Sequence, residues 1–238
     1  MAAPTDDPRV NDDYVRTLPG GDGGAVTLVG VVHDHPASVH RVRSLVETIA
    51  PDTVALELSP VALPLFEAYA DDEASPPALG GEMSAAMRAA DCEVVGIDAP
   101  NAAFLRRLLA RIREERPERD TVARVLRGVA GVTRHALACR LGASVARWTG
   151  RTVELDRPVD HECTPQDPPS AQAADERKQA SQSLSLLRAF ETPEPVHLRD
   201  ATREECMAAR LRELSARGNV VAVVGIDHLD GVSDEFTA

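Results

Sequence analysis

Two histidines near opposite ends of the chain, His33 and His228, each follow a glycine by three residues. In both cases the glycine closes a run of mainly β-branched residues, AVTLVG before His33 and VVAVVG before His228. An imidazole at neutral pH can bind a divalent transition metal or accept a proton as a general base. The repeated Gly-x-x-His pattern therefore predicts one site, assembled from both ends of the chain, in a hydrolase or a metal protein.

Two acidic residues stand at the ends of other apolar segments: Glu57 in TVALEL and Asp98 in EVVGID. A carboxylate that is buried at a strand end needs a cation or hydrogen-bond donors. The simpler alternative is that these carboxylates are solvated, as at an ordinary strand end. Two histidines and one carboxylate suit a divalent transition metal such as Mn, Co or Zn with open positions. We therefore predict His33, Glu57 and His228 as metal ligands, and Asp98 as their partner or a further ligand.

Glu82 and Arg107 are weaker candidates. Glu82 follows a double glycine at a predicted helix start, where the helix dipole alone stabilises a carboxylate, so a catalytic and a structural role are both open. Arg107 lies in the basic helix FLRRLLARIREE and can meet an anionic group, although helices of this kind are usually solvated faces. The sequence contains none of the common phosphate-loop, GxSxG or HExxH motifs.

The elements that position these residues alternate between strand and helix. Apolar residues recur at helical spacing from Ser38 to Ile49, between the first two strands, which predicts a crossover helix. This order predicts a single α/β domain over residues 23–238, with a mostly parallel sheet flanked by helices, after a polar lead-in of residues 1–22. Ligands in such sheets bind beyond the carboxyl ends of the strands, where the candidate residues stand.

The composition of the chain limits the binding partners and the cellular compartment that we expect. The chain has 38 acidic and 26 basic residues, a net charge of -12, and only one lysine. Phosphate binding needs clustered positive charge, so the composition argues against nucleic acid as a partner. No segment approaches the roughly 20 apolar residues that span a bilayer, and no signal peptide is evident. Four scattered cysteines without a CxxC pair favour a reducing compartment, so we predict a cytoplasmic protein.

The excess of acidic residues also predicts a response to salt. Acidic, lysine-poor surfaces repel themselves unless salt screens them, so we predict a halophilic source. A genome that replaces lysine codons with arginine codons explains the lysine shortage but not the net charge. We expect the midpoint of thermal unfolding to rise continuously from dilute buffer to molar KCl; a flat response would leave only the codon explanation.

Four collinear blocks between Ala25 and Val232 resemble the TraB/PrgY family, whose animal relatives include the Tiki metalloproteases. The first block is GVVHDHPASVHRV and the second is PDTVALEL. The third joins GGEMSAAMRAA to VVGID, and the last joins TREECMAARL to VVAVVGIDHLDGV. Their order across nearly the whole chain makes the resemblance fairly specific.

The resemblance implies a single α/β domain, related in fold to erythromycin-esterase-like and haem-uptake ChaN-like proteins. It also implies a site made of the two Gly-x-x-His motifs and the strand-end glutamate. In Tiki-like members the activity is metal-dependent proteolysis, and bacterial members shut down a peptide mating pheromone. The last block places Arg203 in register with the family, so we expect Arg203 or Arg107 to stabilise developing negative charge.

Two positions depart from the family pattern. The family's arginine shortly after the strand-end glutamate is Ala62 here, and the Asp-Arg pair after the third strand is Asp98-Ala99. The chain therefore lacks two arginine side chains that could bind a carboxylate or stabilise an oxyanion. Membrane helices often follow the domain in relatives, and none is predicted here.

We therefore predict a metal-dependent hydrolase of the TraB type that acts on a peptide or another small molecule. The metal would lower the pKa of a bound water toward ~7, and Glu82 or Asp98 would accept its proton. Two alternatives remain open: a metal-free hydrolase in which a histidine paired with Glu57 is the general base, and a non-catalytic regulatory or binding protein. A homodimer is a further expectation.

Overall fold

The strands of the computed structural model form one five-stranded sheet. The structure describes residues 7–21, 23–71, 77–150, 153–155, 159–189 and 194–238. The strands are β1 (Val15–Pro19), β2 (Ala25–Val31), β3 (Thr53–Leu56), β4 (Glu93–Gly96) and β5 (Val220–Gly225), in the spatial order β1-β2-β5-β3-β4. Strands β2, β5, β3 and β4 are parallel, and β1 pairs with β2 in antiparallel orientation.

The described residues form eight α-helices around this sheet. They are α1 (Pro36–Ile49), α2 (Leu63–Ala70), α3 (Gly81–Ala89), α4 (Ala102–Glu115), α5 (Arg119–Thr149), α6 (Pro169–Ala189), α7 (Glu194–Ser215) and α8 (Ile226–Thr237). The predicted α/β class with a mostly parallel sheet flanked by helices is confirmed. No helix in the described ranges has the length and apolar character needed to cross a membrane.

Both faces of the sheet are buried because its inner strands carry apolar side chains on both sides. On β5, Ala222 and Val224 pack in a layer with residues of α7 and α8. The alternate residues, Val221 and Val223, pack in a second layer with residues of α1 and α3. Such strands are continuous hydrophobic runs in the sequence, which is why they were recognisable there.

Two segments differ from the sequence-based expectation. Residues 15–19, inside the predicted polar lead-in, form β1, where Leu18 is buried against the core; residues 1–6 and 22 of the lead-in lie outside the described residues. The punctuation of the TPEP segment predicts a helix from about Thr202 to Ala216, whereas α7 already includes Glu194 and Pro195, because a proline is compatible with the first turn of a helix.

Candidate active site

The segments that follow β2, β3 and β5 meet at one edge of the sheet, because β5 lies between β2 and β3. His33 comes two residues after β2, Glu57 directly follows β3, and His228 lies in the first turn of α8. Gly225, at the end of β5, lies between them: a Cβ at this position would be 3.5 Å from Glu57 Oε2, 3.6 Å from His33 Nε2 and 4.0 Å from His228 Cδ2. Atoms of all three side chains therefore converge on this glycine, within van der Waals distance of the place that a side chain would take.

His33 is oriented by Glu82, in the first turn of α3. His33 Nδ1 lies 2.7 Å from Glu82 Oε1, and the backbone N–H of Asp34 donates to Glu82 Oε2 at 2.9 Å. The Glu82 side chain is 3% exposed and the His33 side chain is 58% exposed. Because an ionised carboxylate only accepts hydrogen bonds, the geometry assigns the Nδ1 proton to this contact and leaves Nε2 directed toward Gly225. Within the described residues, Nε2 of His33 has no hydrogen-bond partner.

The contact with Glu82 also changes the acidity of the imidazole. The hydrogen bond to Glu82 raises the pKa of His33 to about 9, burial works in the opposite direction, and the charges of Glu82 and Glu57 add to the increase. The neutral form of His33, with a free Nε2, therefore becomes dominant only in alkaline solution.

This shift predicts a pH dependence of stability. The pKa of His33 rises from 6.5 to about 9 on folding. The protonated ring therefore contributes fully to the free energy of unfolding below pH 6.5, and this contribution is lost as the pH rises through about 9. We expect the difference in melting temperature between the natural protein and His33→Asn to shrink across this window. Solvent screening of the exposed ring keeps the difference small. A difference that stays constant from neutral to alkaline pH would contradict a charged His33–Glu82 pair.

Arg203, on α7, joins the remaining acidic residues of the site. Its Nη2 donates to Glu57 Oε1 at 2.6 Å and to Asp98 Oδ2 at 2.8 Å, and its Nε donates to Asp98 Oδ1 at 2.9 Å. The second oxygen of Glu57 accepts the backbone N–H of Gly225 at 2.6 Å. Burial tends to lower the pKa of Arg203, but Asp98 and Glu57 outweigh it and raise the pKa, which keeps the guanidinium charged.

Both ring nitrogens of His228 are engaged. Nη1 of Arg203 lies 3.0 Å from His228 Nε2, and His228 Nδ1 lies 2.8 Å from Glu204 Oε1. A guanidinium can only donate, so Nε2 is the acceptor. Nδ1 therefore carries the ring proton and donates a hydrogen bond to Glu204. Burial lowers the pKa of His228, while the bond to Glu204 and the charge of Glu57 raise it, with a net upward shift. His228 is therefore held in place, whereas His33 keeps a free nitrogen.

The donor set around Gly225 does not fit the predicted metal as it stands. The guanidinium of Arg203 contacts both Glu57 and His228, so an organic cation already binds two of the three predicted ligands. Among the described residues, no group of metal-binding atoms within 4.8 Å of one another includes His33, Glu57 and His228. The guanidinium therefore takes the place at Glu57 and His228 that the sequence analysis assigned to a metal.

A second cluster, formed by His35, Cys163 and Asp175, does place its ligand atoms within 4.8 Å of one another. His35 caps α1, where its Nδ1 accepts the backbone N–H of Ala37 at 3.1 Å. Nε2 therefore carries the proton, and it lies 3.3 Å from Asp175 Oδ2 and 3.4 Å from Cys163 Sγ. Burial and the carboxylate of Asp175 raise the pKa of Cys163 to about 11. These contacts describe a hydrogen-bonded cluster of a protonated nitrogen and a neutral thiol.

Of the other predicted residues, Glu82 and Asp98 reach the site and Arg107 does not. Arg107, on α4, donates to Glu205 at 2.7 Å and contacts Cys206, and neither partner belongs to the group around Gly225.

Two supporting residues were missed from the sequence: Glu204, and His161, whose Nε2 donates to the backbone carbonyl of His33 at 2.9 Å. The only sequence feature that could have indicated Glu204 is its position directly after Arg203 in the TREE segment. His161 lies in an irregular segment with no recognisable pattern.

The fold and the site define the class: an α/β protein with a histidine–glutamate pair at the carboxyl edge of its parallel strands. No protein-family model and no curated protein matches the chain. A solved structure with partial similarity is that of the erythromycin esterase EreC, as a histidine-to-asparagine mutant in its open conformation. It is 14% identical with a TM-score of 0.32, and the match covers 81% of this chain and 58% of that chain.

Proposed function

We propose that the protein is a hydrolase of carboxylic esters or amides in which His33 is the general base. One observation carries the proposal: Nδ1 of His33 is bound to the buried carboxylate of Glu82, and Nε2, directed toward Gly225, has no hydrogen-bond partner in the described part of the chain. The same carboxylate–imidazole arrangement activates the nucleophile of serine hydrolases. No nucleophilic side chain of a described residue is bound to Nε2, so water is the group that His33 activates.

The reaction then has two proton transfers through one nitrogen. Nε2 of neutral His33 takes a proton from water as the water oxygen bonds to the carbonyl carbon, which gives a tetrahedral intermediate. The imidazolium, stabilised by Glu82, returns that proton to the leaving oxygen or nitrogen as the bond to carbon breaks. The net change is addition of one water, and His33 ends in its initial state.

A small cleft beside His33 indicates the chemistry of the group bound next to the scissile bond. The cleft encloses about 170 Å³. Much of its lining is apolar, with contributions from Leu58, Phe66, Leu79 and Met83. Whole-ligand pockets are usually ~300–1,000 Å³, so this cleft accepts one acyl or side-chain group rather than an entire substrate. We therefore propose substrates with a compact apolar group next to the carbonyl.

A metal-dependent peptidase, as the TraB resemblance implies, is the second candidate. The gathering of His33, Glu57 and His228 around Gly225 favours it. Binding a metal there would require the contacts of Arg203 to open first. The two candidates therefore differ in their response to chelation.

The deciding experiment measures hydrolysis of ester and peptide panels as a function of pH, with and without a chelator. We expect activity to rise with pH to an inflection near 9, the pKa of His33, and to be unaffected by chelation. Glu82→Gln removes the charge that raises this pKa, so its inflection should move toward 6.5 with a lower maximal rate. Glu47→Gln, which changes an exposed carboxylate on α1, is the matched control.

Three outcomes separate the candidates. An inflection that follows Glu82→Gln supports the general base. Loss of activity on chelation, restored by a divalent ion, would establish the metal peptidase instead. A folded protein that hydrolyses neither panel at any pH would leave the non-catalytic binding protein.

A further inference from the structure

The long helix α5 presents an apolar stripe on its outer face. We define this stripe as Leu137, Leu141, Val145 and Trp148, whose exposed fractions are 54%, 68%, 48% and 89%. Their spacing of four, four and three residues places them on one side of the helix. At a rise of ~1.5 Å per residue the stripe is about 16 Å long. The inner face of α5 is separately buried, through residues such as Cys139 and Ala143 that pack near α2.

Arginines border the stripe on both sides. At ~100° per residue, Arg134 lies about 60° to one side of Leu137 and Arg140 about 60° to the other. Both are exposed, as is Arg147, and none of the three has an ion pair with a described residue. Helix α5 contains six arginines and a single acidic residue, Asp120, in a chain whose net charge is -12. Three of these six arginines, Arg134, Arg140 and Arg147, lie beside the exposed apolar side chains of the stripe.

This combination of charges disfavours a second copy of the chain as the occupant. In a two-fold contact the stripe would meet itself, which brings the arginines of both helices together with almost no acidic side chain on α5 to compensate. A membrane with anionic lipids satisfies both features: acyl chains accept the apolar side chains, and lipid phosphates accept the arginines. Tryptophan is also a preferred residue at the membrane–water interface.

We propose that α5 is a membrane-surface helix that binds anionic bilayers, with the stripe among the upper acyl chains and the bordering arginines on lipid phosphates. The helix lies in the plane of the membrane and does not cross it. Helix α2, which packs against the inner face of α5, contributes Phe66 and Tyr69 to the cleft beside His33. Membrane binding and the site are therefore linked through adjacent helices.

Trp148 is the only tryptophan in the chain, so its fluorescence reports directly on the stripe. The natural protein is titrated with phosphatidylglycerol vesicles and with phosphatidylcholine vesicles, at the lowest KCl concentration that keeps it folded. We expect a shift of Trp148 emission to shorter wavelength, and co-sedimentation, with the anionic vesicles. Each arginine near an anionic surface contributes about fivefold in affinity, so Arg134→Gln with Arg140→Gln should weaken binding by about 25-fold.

Controls keep the outcomes distinct. Leu141→Asp should abolish binding, and Arg43→Gln, which changes a half-exposed arginine on α1, should leave it unchanged. Circular dichroism and thermal unfolding establish that each variant is folded, as expected for exposed positions. Three results would overturn the proposal: no fluorescence shift with anionic vesicles, equal binding to both vesicle types that the arginine variant does not weaken, or a shift that appears without vesicles as the protein concentration rises and that Leu141→Asp removes. The last result would identify a second copy as the occupant.

Discussion

His33→Asn is expected to lower kcat for ester or amide hydrolysis by about 10²–10⁴-fold, the usual contribution of a general base, without unfolding the protein. Asparagine is similar in size and can still donate to Glu82, but it cannot accept a proton at the position of Nε2. The side chain is 58% exposed, so little buried contact is lost. The measurement is kcat and KM at a pH above the inflection, with circular dichroism on the same samples.

The matched control is His197→Asn, which changes an exposed histidine on α7. It should retain the natural activity at every pH. If His33→Asn is folded and equally active, His33 is not the base, and the proposed mechanism is wrong whatever the activity of the control.

The sequence shows which candidate residues stand at the ends of buried strands, but not which of these strand ends are neighbours. Three buried strands are visible as apolar runs, and polar residues follow each of them at a fixed short distance. Once β5 lies between β2 and β3, His33, Glu57 and His228 come together without any further information. Sequence spacing alone could not give this strand order, because neighbours in the sheet are almost 200 residues apart in the chain.

The contacts within the site were less predictable because different cations satisfy the same donors. A carboxylate and an imidazole nitrogen bind a metal ion, but they accept equally well from a guanidinium. In the structure Arg203 takes this place, so residues of the metal-ligand type hold an arginine. Glu82 shows a similar ambiguity: its place in the first turn of a helix explains a carboxylate by itself, and the contact with His33 is what connects it to the proposed general base.

The largest expected effect on stability comes from Arg203→Met. The side chains of Glu57 and Asp98 are 6% and 11% exposed, and both depend on the guanidinium for a positive partner. Removing one member of a buried ion group leaves uncompensated charge and typically costs ~3–5 kcal/mol. We expect a loss of about that size in the free energy of unfolding, measured by urea denaturation near neutral pH at constant salt.

Arg210→Met is the matched control, since Arg210 lies on the same helix and pairs with Glu213 at the surface. Arg210→Met should lower the free energy of unfolding by only ~0–1 kcal/mol, as is usual for exposed ion pairs. Arg203→Lys should be intermediate, because an ammonium restores the charge but not the planar fork that contacts two carboxylates at once.

The pH dependence of the Arg203→Met defect identifies its cause. If the defect is uncompensated charge, acid relieves it by protonating the carboxylates that the guanidinium no longer neutralises. The folded variant then takes up protons more readily than the unfolded chain, so its stability relative to the natural protein should improve as the pH falls from about 7 to about 5. A defect due only to lost packing would be independent of pH. A constant difference across this range would therefore show that Arg203 fills space at the sheet edge rather than neutralising Glu57 and Asp98.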